Sequence, residues 1–268
     1  MGLLEHRVAV VTGAGRGIGQ AIAFLFAREG AQVAVNDVDA GPAEETASRI
    51  VAEGGRAFAC AGSVADASAT DRLMKETFER CGAIDILVNN AGITRDRVVH
   101  RMSEEDWDAV LDVNLRGTFH GIRSAAPYLR DVAKAEIEQH GRPHHHRKVV
   151  NFCSTAALRG NAGQLNYAAA KMGNLGITRT LAREWGPFWI NVNAISPGLT
   201  RTRMTEPKNA PGGTGIPREQ LDAMIAAIPF GRAAEPEDVA RVALFFASPL
   251  SDFVTGQDIN VSGGLQIP

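Results

Sequence analysis

Tyr167 and Lys171 are the residues of this chain best placed to move a proton. They lie four positions apart within Gln164–Trp185, a stretch whose pattern predicts a long helix, so their side chains share one face and their tips can converge. A free tyrosine has a pKa of about 10, too high for a base at neutral pH, but a nearby ammonium stabilises the phenolate and lowers that pKa. The pair therefore indicates acid–base chemistry, although the same spacing is common in ordinary pairs of surface side chains.

Ser154 adds a hydroxyl group to this pair. It stands thirteen positions before Tyr167 and directly follows the apolar run Val149–Cys153, at the end of a strand predicted over Lys148–Cys153. Ligands of open α/β sheets bind at the carboxyl ends of the strands. We therefore expect Ser154 to lie in a ligand-binding crevice.

A glycine-rich turn near the start of the chain predicts a dinucleotide site. The segment Thr12–Gly19 (TGAGRGIG) lies between an apolar strand, Arg7–Thr12, and a stretch with helical spacing of apolar residues. Gly13 permits the tight turn, Gly17 lets backbone approach a pyrophosphate, and Gly19 allows close packing of helix on strand. The free N–H groups and partial positive charge at the start of the helix favour the phosphates.

Asp37 bears on the choice between NAD and NADP. It follows the second predicted strand, roughly 20 residues beyond the glycine turn, where a carboxylate accepts hydrogen bonds from the adenosine ribose and repels a 2′-phosphate. This position favours NAD. Arg16 and other arginines nearby could instead favour NADP, and Asp37 could simply form a turn together with Asp39.

Short β-branched runs alternate with longer helical patterns, which is typical of a parallel sheet with crossover helices. The predicted strands are Arg7–Thr12, Gln32–Asn36, Ala57–Cys60, Ile84–Val88, Lys148–Cys153, Ile190–Ile195 and Ile259–Val261. The predicted helices are one beginning near Ile18, then Glu44–Ala52, Ala67–Arg80, Glu104–Leu129 and Gln164–Trp185. We expect residues 1–268 to form a single α/β domain, a doubly wound Rossmann fold whose parallel sheet carries helices on both faces. The long irregular stretch 201–218 is predicted to be a substrate lid.

These features together resemble the short-chain dehydrogenase/reductase family over essentially the whole chain. The glycine turn matches the family's TGxxxGxG motif, and Asn89–Gly92 (NNAG) matches its NNAG strand end. The family's catalytic tetrad is matched by Asn114, Ser154, Tyr167 and Lys171. Further matches are Pro197, Gly198 and Thr202 in the segment beside the nicotinamide, and Val254–Gln257 with Gly263 and Gly264 near the C-terminus.

The resemblance implies a role for each matching residue. Tyr167 would be the general acid in carbonyl reduction and the base in alcohol oxidation, and Lys171 would lower its pKa and hold the nicotinamide ribose. Ser154 would hydrogen-bond the substrate oxygen, and Asn114 would hold a water that links Lys171 to solvent. The residues expected to bind the cofactor are Gly13, Arg16, Gly17, Ile18, Gly19, Asp37, Ser63, Val64, Asn90, Ala91, Gly92, Tyr167, Lys171, Pro197, Gly198 and Thr202.

Two features depart from the family pattern. Ser63 precedes Val64 where family members often have aspartate, so the adenine contact there would be weaker or water-mediated. The stretch between the tetrad's asparagine and serine is longer than usual, with the surplus near residues 131–148, which we interpret as a surface insert without a catalytic role. Its three adjacent histidines, 144–146, fit a solvated loop better than a metal site, because three neighbours cannot all face one ion from a regular element. We expect no metal.

Within the family, the segment Gly160–Lys171 and the pair Asn36–Asp37 are most similar to 3-oxoacyl-thioester reductases and 3-hydroxyacyl-CoA dehydrogenases. The resemblance therefore implies a 3-oxoacyl or 3-hydroxyacyl thioester as substrate, with steroids, sugars, polyols and other secondary alcohols as alternatives. A dinucleotide-binding sensor or scaffold without turnover is disfavoured by the intact tetrad. An extended nucleotide-sugar epimerase is disfavoured because no sizeable domain follows Ser196.

Charge and composition argue against several classes of partner. The net charge is −2 and the pI is about 6.4, so nothing indicates binding to nucleic acid or anionic lipid. Three widely spaced cysteines, an N-terminus unlike a signal peptide and the lack of a long apolar run predict a cytoplasmic enzyme. The resemblance also implies a homotetramer. The apolar residues 244–246 with Phe253 and Val254 support this only mildly, since they could equally be core.

Overall fold

Short apolar runs pair in parallel to build the centre of the molecule. The computed structural model describes residues 2–206 and 217–266. Its strands are β1 (Val8–Val11), β2 (Gln32–Asp37), β3 (Arg56–Ala61), β4 (Ile86–Asn89), β5 (Arg147–Phe152), β6 (Ile190–Pro197) and β7 (Asp258–Val261). They form one sheet in the order β3-β2-β1-β4-β5-β6-β7, and all neighbours are parallel. Every predicted strand is present, and β2 includes Asp37.

Helices cover both faces of this sheet, which confirms the predicted fold class. They are α1 (Gly17–Arg28), α2 (Ala40–Ala52), α3 (Ala67–Cys81), α4 (Glu104–Leu111), α5 (Gly117–Ala126), α6 (Val132–His140), α7 (Thr155–Arg159), α8 (Leu165–Trp185), α9 (Arg218–Ala226) and α10 (Pro236–Ala247). Because successive side chains of a strand point to opposite faces, β1 supplies both cores. Val11 belongs to a core with α1, α2 and α10, and Val10 to a core with α3, α5 and α8.

The chain between β4 and β5 is more helical than the sequence predicts. Two π-helical turns, Asp112–Arg116 and Pro127–Asp131, join α4, α5 and α6 into one helical run. The prediction ended this run at Leu129 and left residues 131–148 as an insert. Instead, α6 fills half of that stretch and ends at His140, followed by Gly141, whose left-handed conformation (φ 78°) is typical of a helix end.

The three adjacent histidines lie in a loop, as interpreted, but only one of them is mostly exposed to solvent. His144 is exposed, but His145 and His146 are half-buried at the amino-terminal edge of the sheet. His145 Nε2 lies 2.6 Å from Asp85 Oδ1, and His146 Nδ1 lies 2.8 Å from Asn191 Oδ1. These partners are distant in sequence, and for this reason the local pattern did not reveal them.

The predicted lid, 201–218, is described only in part, because residues 207–216 lie outside the described ranges. Behind it, α9 packs through Leu221 and Ile225 on a small core of Leu199, Ile228 and Ala233. No helix in the described part of the chain is both long enough and apolar enough to cross a membrane.

The apolar residues near the C-terminus divide between core and surface. Phe246 is fully buried, and Leu244, Phe245 and Val254 pack against the same core. These four are therefore explained by the fold of one chain. Phe253, by contrast, has its whole side chain exposed.

Candidate active site

The glycine turn leads from β1 directly into α1 and adopts backbone conformations that favour glycine. Gly13 and Gly17 have positive φ angles of 63° and 56°. A Cβ atom at Gly13 would lie 2.8 Å from Ala91 Cα, and one at Gly19 would lie 2.2 Å from the Gly13 carbonyl oxygen. No side chain caps the start of α1. The turn therefore presents backbone N–H groups to a ligand, as a pyrophosphate site requires.

Thr12 and Asn90 fix the two loops that border this turn. Thr12 Oγ1 accepts hydrogen bonds from the N–H groups of Asn90 and Ala91, both at 3.1 Å. Asn90 Nδ2 donates to the carbonyl oxygens of Thr12 at 2.8 Å and Gly13 at 3.1 Å. The side-chain amide of Asn90 therefore links the two loops by hydrogen bonds within the protein. Thr12 was not among the predicted site residues, and its position at the head of the glycine motif was the only signal for it.

Asp37 lies at the end of β2, beside the glycine turn. Its two carboxylate oxygens accept the N–H groups of Gly15 at 3.0 Å and Asp39 at 3.1 Å. Each oxygen keeps a second lone pair that a ribose hydroxyl can use. Arg16, the residue that could have favoured NADP, is bound through Nη1 to Asp39 Oδ2 at 2.8 Å. The carboxylates of Asp37 and Asp39 and the guanidinium of Arg16 together leave a net negative charge beside the glycine turn.

Ser63 and Val64 follow β3 at the same edge of the sheet. Ser63 Oγ accepts the N–H of Ala65 at 3.2 Å, so this hydroxyl stabilises the turn in which Ser63 lies. Val64 is buried and packs tightly on Gly117, where a Cβ would lie 2.6 Å from Val64 Cγ2. The Val64 carbonyl oxygen lies 3.1 Å from His120 Nδ1. The adenine contact predicted for Ser63 and Val64 stays a prediction.

Tyr167 and Lys171 project from the first turns of α8, and Ser154 lies just beyond β5. Ser154 Oγ accepts the N–H of Ala156 at 3.2 Å, and the Ser154 side chain acts on the Tyr167 phenol so as to lower its pKa. Lys171 Nζ donates to the Phe152 carbonyl oxygen at 3.0 Å and lies 5.7 Å from the centre of the Tyr167 ring. The structure thus brings the predicted tyrosine, lysine and serine together at the carboxyl end of β5.

Burial dominates the electrostatics of this cluster. It raises the pKa of Tyr167 above the ordinary value, and the hydrogen bond from Ser154 offsets only part of the effect. Burial also lowers the pKa of Lys171 to about 8. The lowering of the Tyr167 pKa by Lys171 that the resemblance implies stays a prediction, and the larger effect on the phenol in this structure is burial. A phenol that keeps its proton at neutral pH is suited to donate it to a carbonyl oxygen.

Asn114 is fully buried inside the π-helical turn between α4 and α5. Its side chain pairs with both backbone polar atoms of Ile93, accepting at 2.8 Å and donating at 2.9 Å. A Cβ at Gly92, the residue before Ile93, would lie 2.9 Å from Asn114 Oδ1 and 3.4 Å from Lys171 Nζ. Asn114 therefore holds the strand end beside Lys171. The water that it would bind according to the resemblance stays a prediction.

Asn174 is a buried site residue that the sequence analysis missed. Its Nδ2 donates to the Asn114 carbonyl oxygen at 2.9 Å and to the Phe152 carbonyl oxygen at 3.1 Å, and the latter also accepts from Lys171. One side chain thus ties the π-helical turn to the end of β5. A signal was available, because Asn174 follows Lys171 by three positions and shares its helix face.

The segment after β6 brings Pro197, Gly198 and Thr202 to the same edge. The Pro197 carbonyl oxygen accepts the Thr155 hydroxyl at 3.2 Å, and the Gly198 N–H donates to the Val261 carbonyl oxygen at 2.9 Å. A Cβ at Gly17 would lie 3.4 Å from Thr202 Cγ2, so Thr202 closes over the glycine turn.

The cradle between these loops fits a nicotinamide dinucleotide. The backbone N–H groups of the glycine turn suit the pyrophosphate, and the carboxylate of Asp37 at the end of β2 suits the ribose of the adenosine half. Lys171 Nζ uses one hydrogen for the Phe152 carbonyl oxygen and can donate the others to the nicotinamide ribose. Ile18 packs its side chain on the core, so only its backbone can serve the cofactor. Among residues 2–206 and 217–266, no group of three or more histidine, cysteine or acidic side chains could hold a metal ion.

The chain is similar to known reductases over nearly its whole length. A family model described as enoyl-(acyl carrier protein) reductase matches residues 13–266. The 3-oxoacyl-[acyl-carrier-protein] reductase FabG of Thermotoga maritima is 41% identical, with 98% of this chain and 99% of that protein covered. The 3-oxoacyl-[acyl-carrier-protein] reductase of Synechocystis is 40% identical, with 99% of each chain covered.

Comparison with a solved structure shows that the fold, too, is shared with a known reductase. The crystal structure of levodione reductase superposes with a TM-score of 0.87 at 30% sequence identity, covering 97% of this chain and 98% of that one. The likeness therefore includes the glycine turn and both faces of the sheet as well as the residues around Tyr167.

Proposed function

We propose, since this chain belongs to the short-chain dehydrogenase/reductase family, that it reduces the ketone of a 3-oxoacyl thioester to the 3-hydroxyacyl thioester. The reaction class, an NAD(P)-dependent interconversion of ketone and secondary alcohol, follows from the family. The observation that carries the proposal is that Tyr167 and buried Lys171, whose Nζ lies 5.7 Å from the centre of the tyrosine ring, meet Ser154 at the carboxyl end of β5.

The chemistry assigned to each side chain follows from its position. The bound nicotinamide would supply or accept the hydride. Tyr167 donates its phenolic proton to the substrate oxygen during reduction, and Ser154 donates a hydrogen bond to that oxygen as negative charge develops. Lys171 orients the cofactor ribose and stabilises the phenolate that proton donation leaves behind. In alcohol oxidation the same groups act in reverse.

NAD is the cofactor that we propose, with NADP as the alternative. The support is the carboxylate of Asp37 together with the pairing of Arg16 to Asp39. A 2′-phosphate placed here would meet negative charge and find its nearest guanidinium already bound. A ribose with free hydroxyls could instead donate to the remaining lone pairs of Asp37.

The thioester is supported by the names of two relatives, both 3-oxoacyl-[acyl-carrier-protein] reductases. The family model's description names enoyl reduction instead. Steroids, sugars, polyols and other secondary alcohols remain alternatives within the family, as does a dinucleotide-binding sensor without turnover. The position of the Ser154 hydroxyl beside the Tyr167 phenol favours a carbonyl as the group that is reduced.

We further propose that the enzyme is a cytoplasmic homotetramer. Phe119 and Leu165 each expose about half of their side chains, and Phe253 is fully exposed. Single exposed apolar side chains are common on monomers, so the tetramer is proposed mainly from the family resemblance. All three cysteines, Cys60, Cys81 and Cys153, are free thiols, which fits a reducing compartment.

The test is an initial-rate assay with NADH and with NADPH, each with acetoacetyl-CoA and, separately, with crotonyl-CoA. We expect NADH to be oxidised with the 3-oxo compound, and Tyr167→Phe to lower turnover by about 10²- to 10⁴-fold while it still binds NADH. Turnover with crotonyl-CoA alone would overturn the ketone assignment. A preference for NADPH would overturn the argument from Asp37. NADH binding without turnover of either compound would discard the thioester.

A further inference from the structure

Asn174 lies one turn after Lys171 on α8, and its side-chain amide bonds the same backbone oxygen as the ammonium. Asn174 Nδ2 donates to the Phe152 carbonyl oxygen at 3.1 Å, and Lys171 Nζ donates to it at 3.0 Å. The two nitrogen atoms are therefore at most about 6 Å apart, within the range over which an opposite charge shifts a pKa. Both residues are buried, with 1% and 3% of their surface exposed. Asn174 thus belongs to the immediate surroundings of Lys171.

The backbone oxygens that accept from Asn174 do not need its amide as their hydrogen-bond partner. Besides the Phe152 oxygen, Asn174 Nδ2 bonds the Asn114 carbonyl oxygen at 2.9 Å. That oxygen also accepts the Thr118 hydroxyl at 3.2 Å, and the Phe152 oxygen also accepts from Lys171. A buried carbonyl oxygen requires at least one partner, and each of the two would keep one without Asn174. Satisfying the backbone therefore does not explain why an amide stands here.

The oxygen of this amide is unfavourable for stability. Asn174 Oδ1 is buried and has no hydrogen-bond partner among residues 2–206 and 217–266. A buried acceptor without a partner destabilises the folded state, so an apolar side chain would suit this position better if packing were its only task. A buried polar atom left unpaired in a native structure calls for a functional explanation. The two bonds that the amide donates are the part of Asn174 that can supply one.

We propose that Asn174 is a positioning residue that acts through Lys171. By donating to the carbonyl oxygens of Phe152 and Asn114 at once, it fixes the end of β5 against the π-helical turn and so fixes the oxygen that holds the Lys171 ammonium. The ammonium then keeps one position, from which its remaining hydrogens can serve the cofactor ribose and the phenolate. The role of Asn174 rests on the function proposed for Lys171, but neither test below requires a substrate.

The titratable groups around Lys171 stay neutral where its ammonium titrates. Burial lowers the pKa of Lys171 to about 8, and the charge of a Cys153 thiolate would oppose this shift. Burial raises the pKa of Cys153 to about 12 and that of Tyr167 above its ordinary value, so both side chains keep their protons at pH 8. Asn114 on the π-helical turn and Gly92 after β4 carry no charge. A carboxylate introduced next to the ammonium would therefore act mainly on Lys171.

The small number of lysines makes the ammonium directly observable. The chain has five, Lys75, Lys134, Lys148, Lys171 and Lys208. In protein labelled with ¹³C at the lysine ε-carbons, the NMR shift of each lysine follows its protonation. Burial lowers the pKa of Lys148 as well. The spectrum of Lys171→Met, which lacks one signal, therefore identifies the signal of Lys171.

Four variants separate the two donated bonds from packing. Asn174→Asp keeps the shape of the side chain and replaces its donor by a carboxylate. Asn174→Leu keeps the branched shape without a polar atom, and Asn174→Ala does the same work if leucine does not fit. Thr178→Val is the matched control, because Thr178 is buried one turn further along the same face of α8. Its hydroxyl donates to the Asn174 backbone oxygen at 2.8 Å and not to the Phe152 or Asn114 oxygen.

The first test is the titration of Lys171 in these variants. We expect Asn174→Asp to raise its midpoint by about one pH unit or more, because a carboxylate within about 6 Å favours the charged form of the ammonium. Thr178→Val should leave the midpoint at its value in the parent, about pH 8. An unchanged midpoint in Asn174→Asp would show that the two side chains do not meet in solution and would overturn the proposal.

The second test is a double-mutant cycle on cofactor binding. Fluorescence titration measures the Kd of whichever of NADH and NADPH the parent binds more tightly. Asn174→Leu and Asn174→Ala should each raise that Kd about tenfold, the effect of losing one hydrogen bond of a charged group. In a Lys171→Met background the same changes should raise it less than about twofold, since the group through which Asn174 acts is gone. Thr178→Val should have the same small effect in both backgrounds.

The outcomes of the cycle separate this role from a structural one and from the proposed function. Equal factors in the two backgrounds would refute the role, because an amide that only stabilises the fold weakens binding independently of Lys171. So would an unchanged Kd in Asn174→Leu and Asn174→Ala, with circular dichroism showing that each variant is folded. A parent that binds neither dinucleotide would overturn the proposed function and this role with it. If acetoacetyl-CoA is not turned over, only the thioester fails, and both tests still decide the role of Asn174.

Discussion

Substituting Glu136 by glutamine tests whether the segment before β5 is part of the stable fold. Glu136 lies on α6, and its two carboxylate oxygens accept from Arg147 Nη1 and Nη2 at 2.9 and 2.7 Å. The exposed fractions of the two side chains are only 12% and 4%. The backbone N–H of His144 adds a bond at 3.1 Å. Glu136→Gln would leave the Arg147 guanidinium buried without a counter-charge.

The magnitude follows from the pKa of the carboxyl group. The hydrogen bonds from Arg147 lower the pKa of Glu136 from 4.5 to about 2, although burial opposes this shift. A shift of that size corresponds to on the order of 3 kcal/mol of free energy of unfolding. Because the folded-state pKa is the lower one, this contribution is complete above pH 4.5 and is lost as the pH falls toward 2. The stability difference between wild type and Glu136→Gln should therefore narrow in acid.

Urea unfolding at pH 7 and at pH 4, followed by circular dichroism, measures the loss of free energy of unfolding in Glu136→Gln and its decrease in acid. Asp131→Asn is the control, because Asp131 and Arg130 form a 2.6 Å pair whose side chains are 56% and 38% exposed. We expect that change to cost less than about 1 kcal/mol. If Glu136→Gln costs no more than Asp131→Asn, or if its cost does not shrink at pH 4, the reasoning from burial and pairing is refuted.

Four further outcomes follow from the site. Tyr167→Phe should lower kcat by about 10²- to 10⁴-fold with NADH binding retained, as measured by steady-state kinetics and fluorescence titration. Asp37→Ser should raise the ratio of NADPH to NADH turnover by about tenfold or more, since removing one repulsive charge is worth at least roughly 1.4 kcal/mol. Gly13→Ala should raise the KM for NADH strongly and leave the KM for acetoacetyl-CoA nearly unchanged, because its Cβ would lie 2.8 Å from Ala91 Cα in the glycine turn. Phe253→Asp should shift the elution volume of the protein toward smaller assemblies on sizing if the exposed ring lies in an interface.

The sheet and the glycine turn could be predicted because their signals are local. Four consecutive apolar residues in β1 and a positive φ at Gly13 each follow from neighbouring residues in the chain. The convergence of Tyr167 and Lys171 needed only helical spacing. These features required no knowledge of distant contacts.

The remaining features depend on contacts between distant segments. The bonds of Asp96 to Gln164 and of His145 to Asp85 join residues more than 50 positions apart, and nothing in either segment alone marks them. The burial that raises the pKa of Tyr167 could not be predicted either, because helical spacing gives proximity to Lys171 but not the degree of burial.

The order of the strands has a consequence for synthesis on the ribosome. β1 is made first but lies inside the sheet, paired on one edge with β2 and on the other with β4, which ends at Asn89. At about 5 to 20 residues per second, the 78 positions between Val11 and Asn89 take roughly 4 to 16 seconds to translate. Throughout this interval the backbone N–H and C=O groups along the edge of Val8–Val11 that will pair with β4 have no strand partner. On this side of β1 the sheet can therefore close only after β4 has been made, late in the synthesis of the first third of the chain.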